Sequence, residues 1–286
     1  LCTKWKMKSK KQRRQPQMKT KLIASPYLVW MVVFILVPLL MVAYFAFTDG
    51  NGHFTLNYVA DVAQYTPIFI RSIWLALIAT VICLIIAYPL AYILIGLNKN
   101  TQGTMLMIVM LPMWMNFLLR TYAWMTLLGN NGLINSFFGL FGLGPYKMLN
   151  TEGAVVLGMV YNYLPFMILP IYSIMVKIDK SVLEAAADLG CNPRKTMLKV
   201  VFPLSLPGVM SGITMVFVPA ISTFIISRML GGGGNLLIGD LIEMQFLGNS
   251  YNMNLGAAIS LVLMVIVLLL MTIMNQFNAD DDVVLM

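Results

Sequence analysis

The residues that could do covalent chemistry are few and poorly placed for it. The 286-residue chain contains one histidine, His53, in a Gly/Asn turn, so no Ser/His/Asp set can form around it. A solvated loop histidine is a better interpretation of His53 than a metal ligand. The three cysteines, Cys2, Cys83 and Cys191, lack metal-ligand spacing, and the 24 methionines have no His or Cys companion. We therefore expect no catalytic site, no cofactor and no metal.

The loop at 177–204 combines charged residues with helix signals. Ser181 and Glu184 have the spacing of a capping box, in which the serine hydroxyl binds the third helical amide and the glutamate reaches back. Alanines at 185–187 follow and favour a helix with a flat surface. Gly190 can adopt the left-handed conformation that ends such a helix. The pattern predicts a short helix that closes at a glycine turn.

A second helix is expected directly after this turn. Asn192 is a good N-cap, and Pro193 suits the first helical position. This helix is predicted to extend over 194–201 and to stop at Pro203. A small-residue face flanked by charges suits docking into a groove of a partner protein, but an amphipathic hairpin lying on the membrane has the same pattern. The residues alone leave both interpretations open.

The composition indicates what must position this loop. Hydrophobic residues make up 59% of the chain and charged residues 10%, and the mean hydropathy is +0.82. Soluble domains are about 25% charged, and so few polar groups cannot cover the surface of a soluble protein of this size. The chain is therefore predicted to be an integral membrane protein, which excludes an ordinary soluble enzyme.

Runs without charge mark the membrane-spanning helices, because a helix needs about 20 apolar residues to cross the hydrocarbon core. Filtering these runs by Gly, Pro and Asn content predicts six spans, near 27–47, 68–97, 104–128, 154–176, 205–228 and 255–277. The uncharged run 129–146 is rich in Gly and Asn, which favours a loop or a short re-entrant segment. The predicted organisation is a basic tail, 1–22, a six-span domain, 23–278, and an acidic tail, 279–286.

The basic residues orient these spans. Nine of the nineteen Lys and Arg residues lie within the first 21 positions, so the net charge of +8 belongs to the tail, and no nucleic-acid-binding surface is expected. With the N-terminus inside, the inner segments hold fifteen basic residues and the outer segments four. The positive-inside rule predicts a multi-pass protein of the plasma or inner membrane, with both termini and the loop 177–204 in the cytoplasm.

The predicted spans carry almost no ionisable groups near the bilayer centre, where proton-coupled carriers normally hold them. Arg120 lies about 17 residues into the third span, which places it near the outer interface. The chain also has no P-loop, and the run Gly231–Gly234 resembles one only in its glycine content. Energy for any transport must therefore come from another protein.

The loop 177–204 resembles the EAA loop of ABC importer permeases. It contains Glu-Ala-Ala, three residues, glycine, nine residues, an aliphatic residue, a spacer and Phe-Pro, which matches the spacing of that motif throughout. In that family the loop forms the coupling helix that sits in a cleft of the ATPase subunit. The resemblance implies ATPase-coupling roles for six residues: Glu184, Ala185, Ala186, Gly190, Pro193 and Pro203.

Three further segments narrow the resemblance. LPMWMNFLLRTY at 111–122, YNYLPFMILP at 161–170 and NLLIGDLIEMQF at 235–246 are similar to segments of spermidine/putrescine transport permeases of the PotB type. Together with the EAA loop they cover the chain from about 68 to 277. The resemblance implies an all-α, polytopic core of six transmembrane helices, the type I ABC importer permease fold. It also implies partners: a second related permease, two copies of an ABC ATPase subunit and an extracellular or periplasmic binding protein.

Five residues within these segments are candidates for the substrate pathway. Trp114 and Asn116 either line the path or pack between helices, and Tyr122 either lines it or anchors the span at the membrane boundary. Asp240 and Glu243 either attract a polycation at the outer mouth or are solvated loop carboxylates. The residue types alone do not decide between these pairs of interpretations.

The sequence as a whole predicts the non-catalytic permease subunit of an ABC importer for polyamines, with ATP hydrolysed by a separate subunit. The alternative within the same class is an ABC permease for another small solute, such as an amino acid or an anion. The alternative from another class is a channel or secondary carrier that works alone. The EAA spacing and the bare bilayer centre argue against this last interpretation.

Overall fold

A computed structural model describes residues 26–248 and 251–282, and these residues form helices joined by turns and short loops. The predicted basic tail, 1–22, lies outside the described residues. The helices are α1 (Pro26–Ala46), α2 (Asn57–Asp61), α3 (Thr66–Ile95), α4 (Lys99–Trp114), α5 (Phe117–Leu128), α6 (Leu133–Leu140), α7 (Glu152–Met175), α8 (Lys180–Asp188), α9 (Pro193–Ile221), α10 (Ile225–Leu230), α11 (Ile238–Leu247) and α12 (Met253–Asp282).

Within the described residues, five helical segments are long and apolar enough to cross a membrane. They are α1, the continuous segment Asn57–Ile95 that includes α3, then α7, α9 and the part of α12 at Met253–Met274. Helix α4 together with the segment Phe117–Leu140, which begins with α5, passes the same test as a pair bent by 88°. Counting this pair as one span gives the predicted six, and the all-α class is confirmed.

The third predicted span, 104–128, is therefore not the continuous helix that its apolar run indicated. Met115 and Asn116 are extended, with ψ of 147° and 131°, and they separate α4 from α5. The Asn116 side chain accepts hydrogen bonds from the backbone N–H groups of Leu118 and Leu119, at 2.9 and 3.4 Å. An asparagine N-cap starts a new helix at this point, so the span breaks where the sequence offers a cap. We call this junction of α4 and α5 the elbow.

Helix α7 is the centre of the packing, with α3 and α9 against it. Close approach between α7 and α9 depends on glycine. A Cβ atom at Gly208 would lie 2.9 Å from the Pro170 carbonyl oxygen, and one at Gly212 would lie 2.8 Å from the Met167 sulfur. Small residues at helix contacts let backbones approach in a membrane, where helices gain little from the hydrophobic effect.

The fifth span differs from the expected 205–228 at both ends. Helix α9 begins at Pro193 and continues to Ile221, so the prediction that the loop helix stops at Pro203 is wrong. The turn over Met197–Val201 is a π-helix, in which the Phe202 N–H bonds to the Met197 carbonyl. Such a widened turn accommodates a proline ring that would otherwise press on the preceding turn.

The C-terminal end of this span also comes earlier than expected. Ser222 has left the helix, and α10 begins only at Ile225. At the other end of the chain, the backbone of α12 stays helical through Asp282, beyond the expected limit of the last span near 277.

Candidate functional site

The loop predicted to dock a partner forms a helix, a turn and the start of a second helix. We call residues 180–203 the coupling segment. Its first helix, α8, is capped by Asp179, whose carboxylate accepts from the Ser181 backbone N–H at 3.0 Å. The predicted capping box of Ser181 and Glu184 is therefore wrong, because the helix starts earlier and Ser181 already lies in its first turn. The Asp179 carboxylate also suits the positive end of the helix dipole.

Gly190 ends α8 as the sequence indicated. Its φ is +77°, which is the left-handed conformation. The Gly190 N–H donates to the Ala187 carbonyl at 2.8 Å, and the Cys191 N–H donates to the Ala186 carbonyl at 3.0 Å. This pair of bonds is a Schellman motif, in which a left-handed C′ residue closes the helix. The prediction that glycine makes this turn is confirmed.

The second helix of the coupling segment also begins as predicted. The Asn192 side chain accepts from the Lys195 backbone N–H at 2.9 Å, and Pro193 occupies the first turn of α9. The helical segment is continuous from Pro193 to Ile221, so the second half of the coupling segment and a helix long and apolar enough to cross the membrane are one element. Its 29 residues correspond to roughly 43 Å at 1.5 Å per residue.

The exposed surface of the coupling segment is not formed by the alanines alone, as the flat small-residue face in the sequence suggested. Ala186 is only 6% exposed and faces the protein, whereas Glu184 and Ala185 are exposed. Two leucines that the sequence analysis did not single out are exposed instead, Leu189 at 85% and Leu198 at 62%. The sequence signal that could have identified them is a large apolar side chain in a loop that also carries charged residues. Pro193 and Pro203 are both exposed.

A cavity lies beside this segment, between the turn that joins α3 to α4, the end of α7 and the start of α8. Its volume is about 680 Å³, and Lys99, Gln102, Met175 and Glu184 are among the residues that line it. The Gln102 amide donates to the carbonyl of Leu97 at 2.8 Å. The Gln102 side chain thereby holds the turn before α4 in place at the edge of the cavity.

Gln102 also connects this turn to α7. Its side-chain oxygen accepts from the Tyr172 hydroxyl at 3.0 Å, and its amide donates to the Ile95 carbonyl at 3.2 Å. The ends of α3, α4 and α7 nearest the coupling segment are therefore joined through one side chain. Sequence reasoning missed Gln102, because a lone glutamine near the start of a helix belongs to no recognisable motif.

The elbow presents two large aromatic residues. Trp114 ends α4 and is 78% exposed, and Tyr122 on α5 is 52% exposed. Asn116 is also exposed, but its side-chain oxygen is occupied as the N-cap of α5. The side-chain oxygen of Asn116 is thus bound by two backbone N–H groups of its own chain. Trp114 and Tyr122 stay available to lipid, to another subunit or to a solute.

Asp240 does not lie in a solvated loop, as one interpretation held. It is 2% exposed, in the first turn of α11, and its Oδ2 accepts from the Leu237 backbone N–H at 2.9 Å. Burial raises the pKa of the Asp240 carboxyl above its ordinary value of 3.8, while the Ser227 hydroxyl and the Leu237 N–H act in the opposite direction. The residue caps a helix within the protein, which burial of a carboxylate requires.

Glu243 is likewise paired. Its two carboxylate oxygens lie 2.6 and 2.5 Å from one Arg228 guanidinium nitrogen. A second ion pair joins Arg71 to Glu152 at 2.6 Å, and the Arg71 guanidinium also donates to the Asn235 side chain. Glu243 is thus paired, and Asp240 is buried with one oxygen bound to the Leu237 N–H, while its Oδ1 has no hydrogen-bond partner among the described residues. Neither carboxylate lies free in a loop at an outer mouth, as the attraction of a cation would require.

Comparison with known proteins defines the family. Residues 17–279 match the family profile described as "Binding-protein-dependent transport system inner membrane component". The chain is 37% identical over 259 residues to the spermidine/putrescine transport system permease protein PotB of Haemophilus influenzae, covering 87% of this chain and 90% of that protein. It is 35% identical over 254 residues to the protein of the same name from Escherichia coli K12, covering 85% and 92%.

Solved structures show the same fold. A chain of a bacterial ABC transporter involved in the import of the acidic polysaccharide alginate superposes with a TM-score of 0.76 at 16% identity, covering 92% of this chain and 96% of that one. A chain of the MetNI methionine ABC transporter in an inward-facing conformation gives a TM-score of 0.57 at 15% identity, covering 78% and 98%. At these identities the similarity establishes the fold.

The fold and the family together define a multi-pass inner-membrane subunit of a transport system. The chain belongs to the family of binding-protein-dependent transport system inner membrane components, the permease subunits of ABC importers. The family and fold expectations that rested on the EAA loop are confirmed.

Proposed function

We propose that this chain is the permease subunit of an ATP-driven importer whose cargo is a polyamine, spermidine or putrescine. The proposed substrate is taken from the names of two relatives, the spermidine/putrescine transport permeases that are 35–37% identical to this chain over most of its length. The chain performs no covalent chemistry in this proposal. It provides a path across the membrane and a surface through which a separate ATPase changes the shape of that path.

The continuity of α9 with the coupling segment carries the proposal. Partner binding at α8 and at the exposed Leu189 and Leu198 would push on one end of a helix whose other end lies in the membrane. Exposed leucines in a segment that also carries charged residues suit a groove on a folded partner. ATP-driven closure of two ATPase subunits would then tilt α9 relative to α7, and the path would open to the opposite side.

The partners expected from this mechanism are two copies of the ATPase, a second related permease and a binding protein on the outer side. The large exposed apolar faces of α4 and α5 offer a surface for the second permease. An external binding protein agrees with the family description. Of the five candidates, Trp114 and Tyr122 at the elbow remain the best-placed substrate contacts.

The orientation of the chain completes the proposal. Both termini and the coupling segment are cytoplasmic, and the turn that contains His53 is outside. The fifteen-to-four bias of basic residues toward the inner segments supports this arrangement. His53→Cys and Lys195→Cys, each in a cysteine-free chain, place one label on each side, and both positions are exposed. An impermeant thiol reagent added outside should modify position 53 alone, and modification of position 195 in intact cells would contradict the orientation.

The substrate is tested by uptake in cells that lack this permease. Labelled spermidine and putrescine should accumulate when the chain is restored together with the ATPase, the second permease and the binding protein, while a labelled amino acid and a labelled oxyanion should not. Accumulation of either of the latter, with no polyamine uptake, would assign the chain to another solute of the same transporter class. Uptake that persists after deletion of the ATPase would contradict the class itself.

A further inference from the structure

One arginine lies buried within the broken span. Arg120 is on α5, four residues beyond the Asn116 cap, and is 7% exposed. The ion pairs among the described residues are Arg71–Glu152 and Arg228–Glu243, and neither includes Arg120. The guanidinium is therefore a buried cation for which the described part of the chain supplies no carboxylate. The span that carries Arg120 is not the straight helix from which its place near the outer interface was expected, and that placement stays a prediction.

The guanidinium instead contacts both halves of the broken span. One terminal nitrogen of Arg120 donates to the Pro112 carbonyl at 2.6 Å, which is in the last turn of α4. The guanidinium carbon lies 5.7 Å from the ring centroid of Phe117, the first residue of α5. This one side chain thus reaches back across the extended residues that form the elbow.

A third helix joins the same contact. The Arg120 guanidinium carbon lies 5.9 Å from the ring centroid of Tyr161 on α7, and that ring also packs edge-on against Trp124 at 5.3 Å. Since α7 is the helix against which α3 and α9 pack, Tyr161 connects the elbow to the centre of the packing. Arg120 lies where α4, α5 and α7 meet.

The physical chemistry of the site indicates a specific task. A buried cation is unfavourable unless its donors find acceptors, and aromatic faces offset only part of the penalty. The Arg120 Nε atom is buried, with no hydrogen-bond partner among the described residues. An aliphatic side chain would fill this space without that penalty, but it could not bind the carbonyl at the end of α4. The contact that an arginine uniquely supplies here is the one across the break.

The backbone does not set the angle of the elbow by itself. Met115 and Asn116 are extended and do not continue the helix, so rotation about these two residues would change the angle between α4 and the segment Phe117–Leu140, which is 88°. We propose that Arg120 is the positioning residue that fixes this angle, by bridging the last turn of α4 to α5 and α7. It thereby holds Trp114 and Tyr122 in one arrangement. The consequence for transport rests on the function proposed above, whereas the geometric claim does not.

The geometric claim is tested by distance measurement across the elbow in the assembled complex in nanodiscs. Spin labels at Gly103→Cys and Thr126→Cys, in an otherwise cysteine-free chain, occupy exposed positions on α4 and α5. For two helices that meet near a right angle, a rise of 1.5 Å per residue places these Cα atoms roughly 20–25 Å apart, within the range of pulsed electron paramagnetic resonance. The unaltered elbow should give one narrow distance distribution.

Removal of the guanidinium should broaden that distribution. Arg120→Gln should at least double its width, because the bridge to Pro112 is lost. Tyr161→Leu removes one ring face and should broaden it as well, whereas Tyr161→Phe keeps the ring and should leave it unchanged. If Arg120→Gln does not assemble, the Tyr161 pair decides the question. Equal widths for the unaltered complex and the assembled Arg120→Gln variant, or for Tyr161→Leu and Tyr161→Phe, would overturn the proposal.

The transport consequence has its own readout. In proteoliposomes, Arg120→Gln should retain ATP hydrolysis stimulated by the loaded binding protein but move at least fivefold fewer polyamine molecules per ATP. General misfolding would lower both quantities and leave the ratio unchanged, which would count against the positioning role. Broadened distances in a complex that carries no polyamine even when unaltered would refute the proposed substrate and support the role of Arg120. Unchanged distances in the Arg120→Gln variant, together with normal polyamine uptake by the unaltered complex, would refute the role of Arg120 and support the proposed substrate.

Discussion

Gly190 gives the sharpest test of the coupling segment, because the effect of backbone strain can be distinguished there from the effect of steric clash within the chain. Its φ of +77° is strained for a residue with a side chain, yet a Cβ atom built at this position meets no described atom within 4 Å. Within the chain, the penalty of Gly190→Ala is therefore conformational alone. A left-handed conformation disfavours an L-residue by about 1–2 kcal/mol, and that range changes a folding equilibrium by a factor of roughly 5–30.

The size of this conformational penalty depends on which residue replaces Gly190. Asparagine visits the left-handed region more readily than other residues with a side chain, and a β-branched residue there is a genuine outlier. The Schellman closure between α8 and α9 should therefore weaken in the order Asn, Ala, Val at position 190. Gly139→Ala is the matched control, since Gly139 lies in the helix α6 and a Cβ atom there also meets no described atom within 4 Å.

The assay is ATP hydrolysis stimulated by loaded binding protein in reconstituted complexes, with the amount of permease in the membrane measured alongside. We expect Gly190→Asn to keep most of the stimulation, Gly190→Ala to lose severalfold and Gly190→Val to lose nearly all, at constant membrane levels. Gly139→Ala should behave as the unaltered protein. Full stimulation with Gly190→Val would refute the argument that this turn shapes the docking surface. Equal loss with Asn and Val would show that contact with the partner, and not backbone strain, decides the outcome.

Two further predictions follow from packing and burial. Gly208→Ala should lower the stability of the purified protein by about 1–3 kcal/mol, because its Cβ atom would lie 2.9 Å from the Pro170 carbonyl oxygen. Gly103→Ala is the control and should be neutral or stabilising, because nothing described lies within 4 Å of a Cβ atom there. Equal melting temperatures for these two variants would contradict the packing argument. Asp240→Asn keeps an acceptor for the Leu237 N–H without a buried charge, so it should be at least as stable at pH 7 as the unaltered protein, whereas Asp240→Leu should lose about 0.5–2 kcal/mol. Because burial raises the pKa of Asp240, the folded protein gains stability from protonation, and the advantage of Asp240→Asn should shrink as the pH falls toward 4; an advantage that grows on acidification would contradict this sign.

Much of the fold could be predicted from charge and composition, because the bilayer imposes a length and a polarity on every span. The elbow could not, since Pro112 and Asn116 in an uncharged run are equally compatible with a straight helix that packs on neighbours. The break depends on a capping bond and on the contact with α7, and tertiary contacts of that kind leave no periodic signal. The continuity of α9 through Pro203 was missed for a related reason, since the π-helical turn before it is a backbone adjustment.

The coupling segment was predictable to the extent that its signals are local. Gly190 and Asn192 act through bonds within a few residues, and the structure has them where the pattern indicated. The cap at Asp179 was displaced by two residues, because Asp179 and Ser181 are both good caps and the Ser-x-x-Glu pattern favoured the wrong one. Asp240 shows the limit of such reasoning, because its burial depends on where α11 packs, and that information is not local.

The central claim is that an external ATPase drives polyamine movement through this chain by way of the coupling segment. Its most direct test is the transport of labelled spermidine across the membrane of proteoliposomes that contain this chain, the second permease and the ATPase. The loaded binding protein is supplied on the outer face of the complex, and ATP is supplied on its cytoplasmic face. We predict accumulation that requires both ATP and the binding protein, and no ATP hydrolysis by this chain alone. Accumulation without ATP, or with the ATPase omitted, would contradict the account.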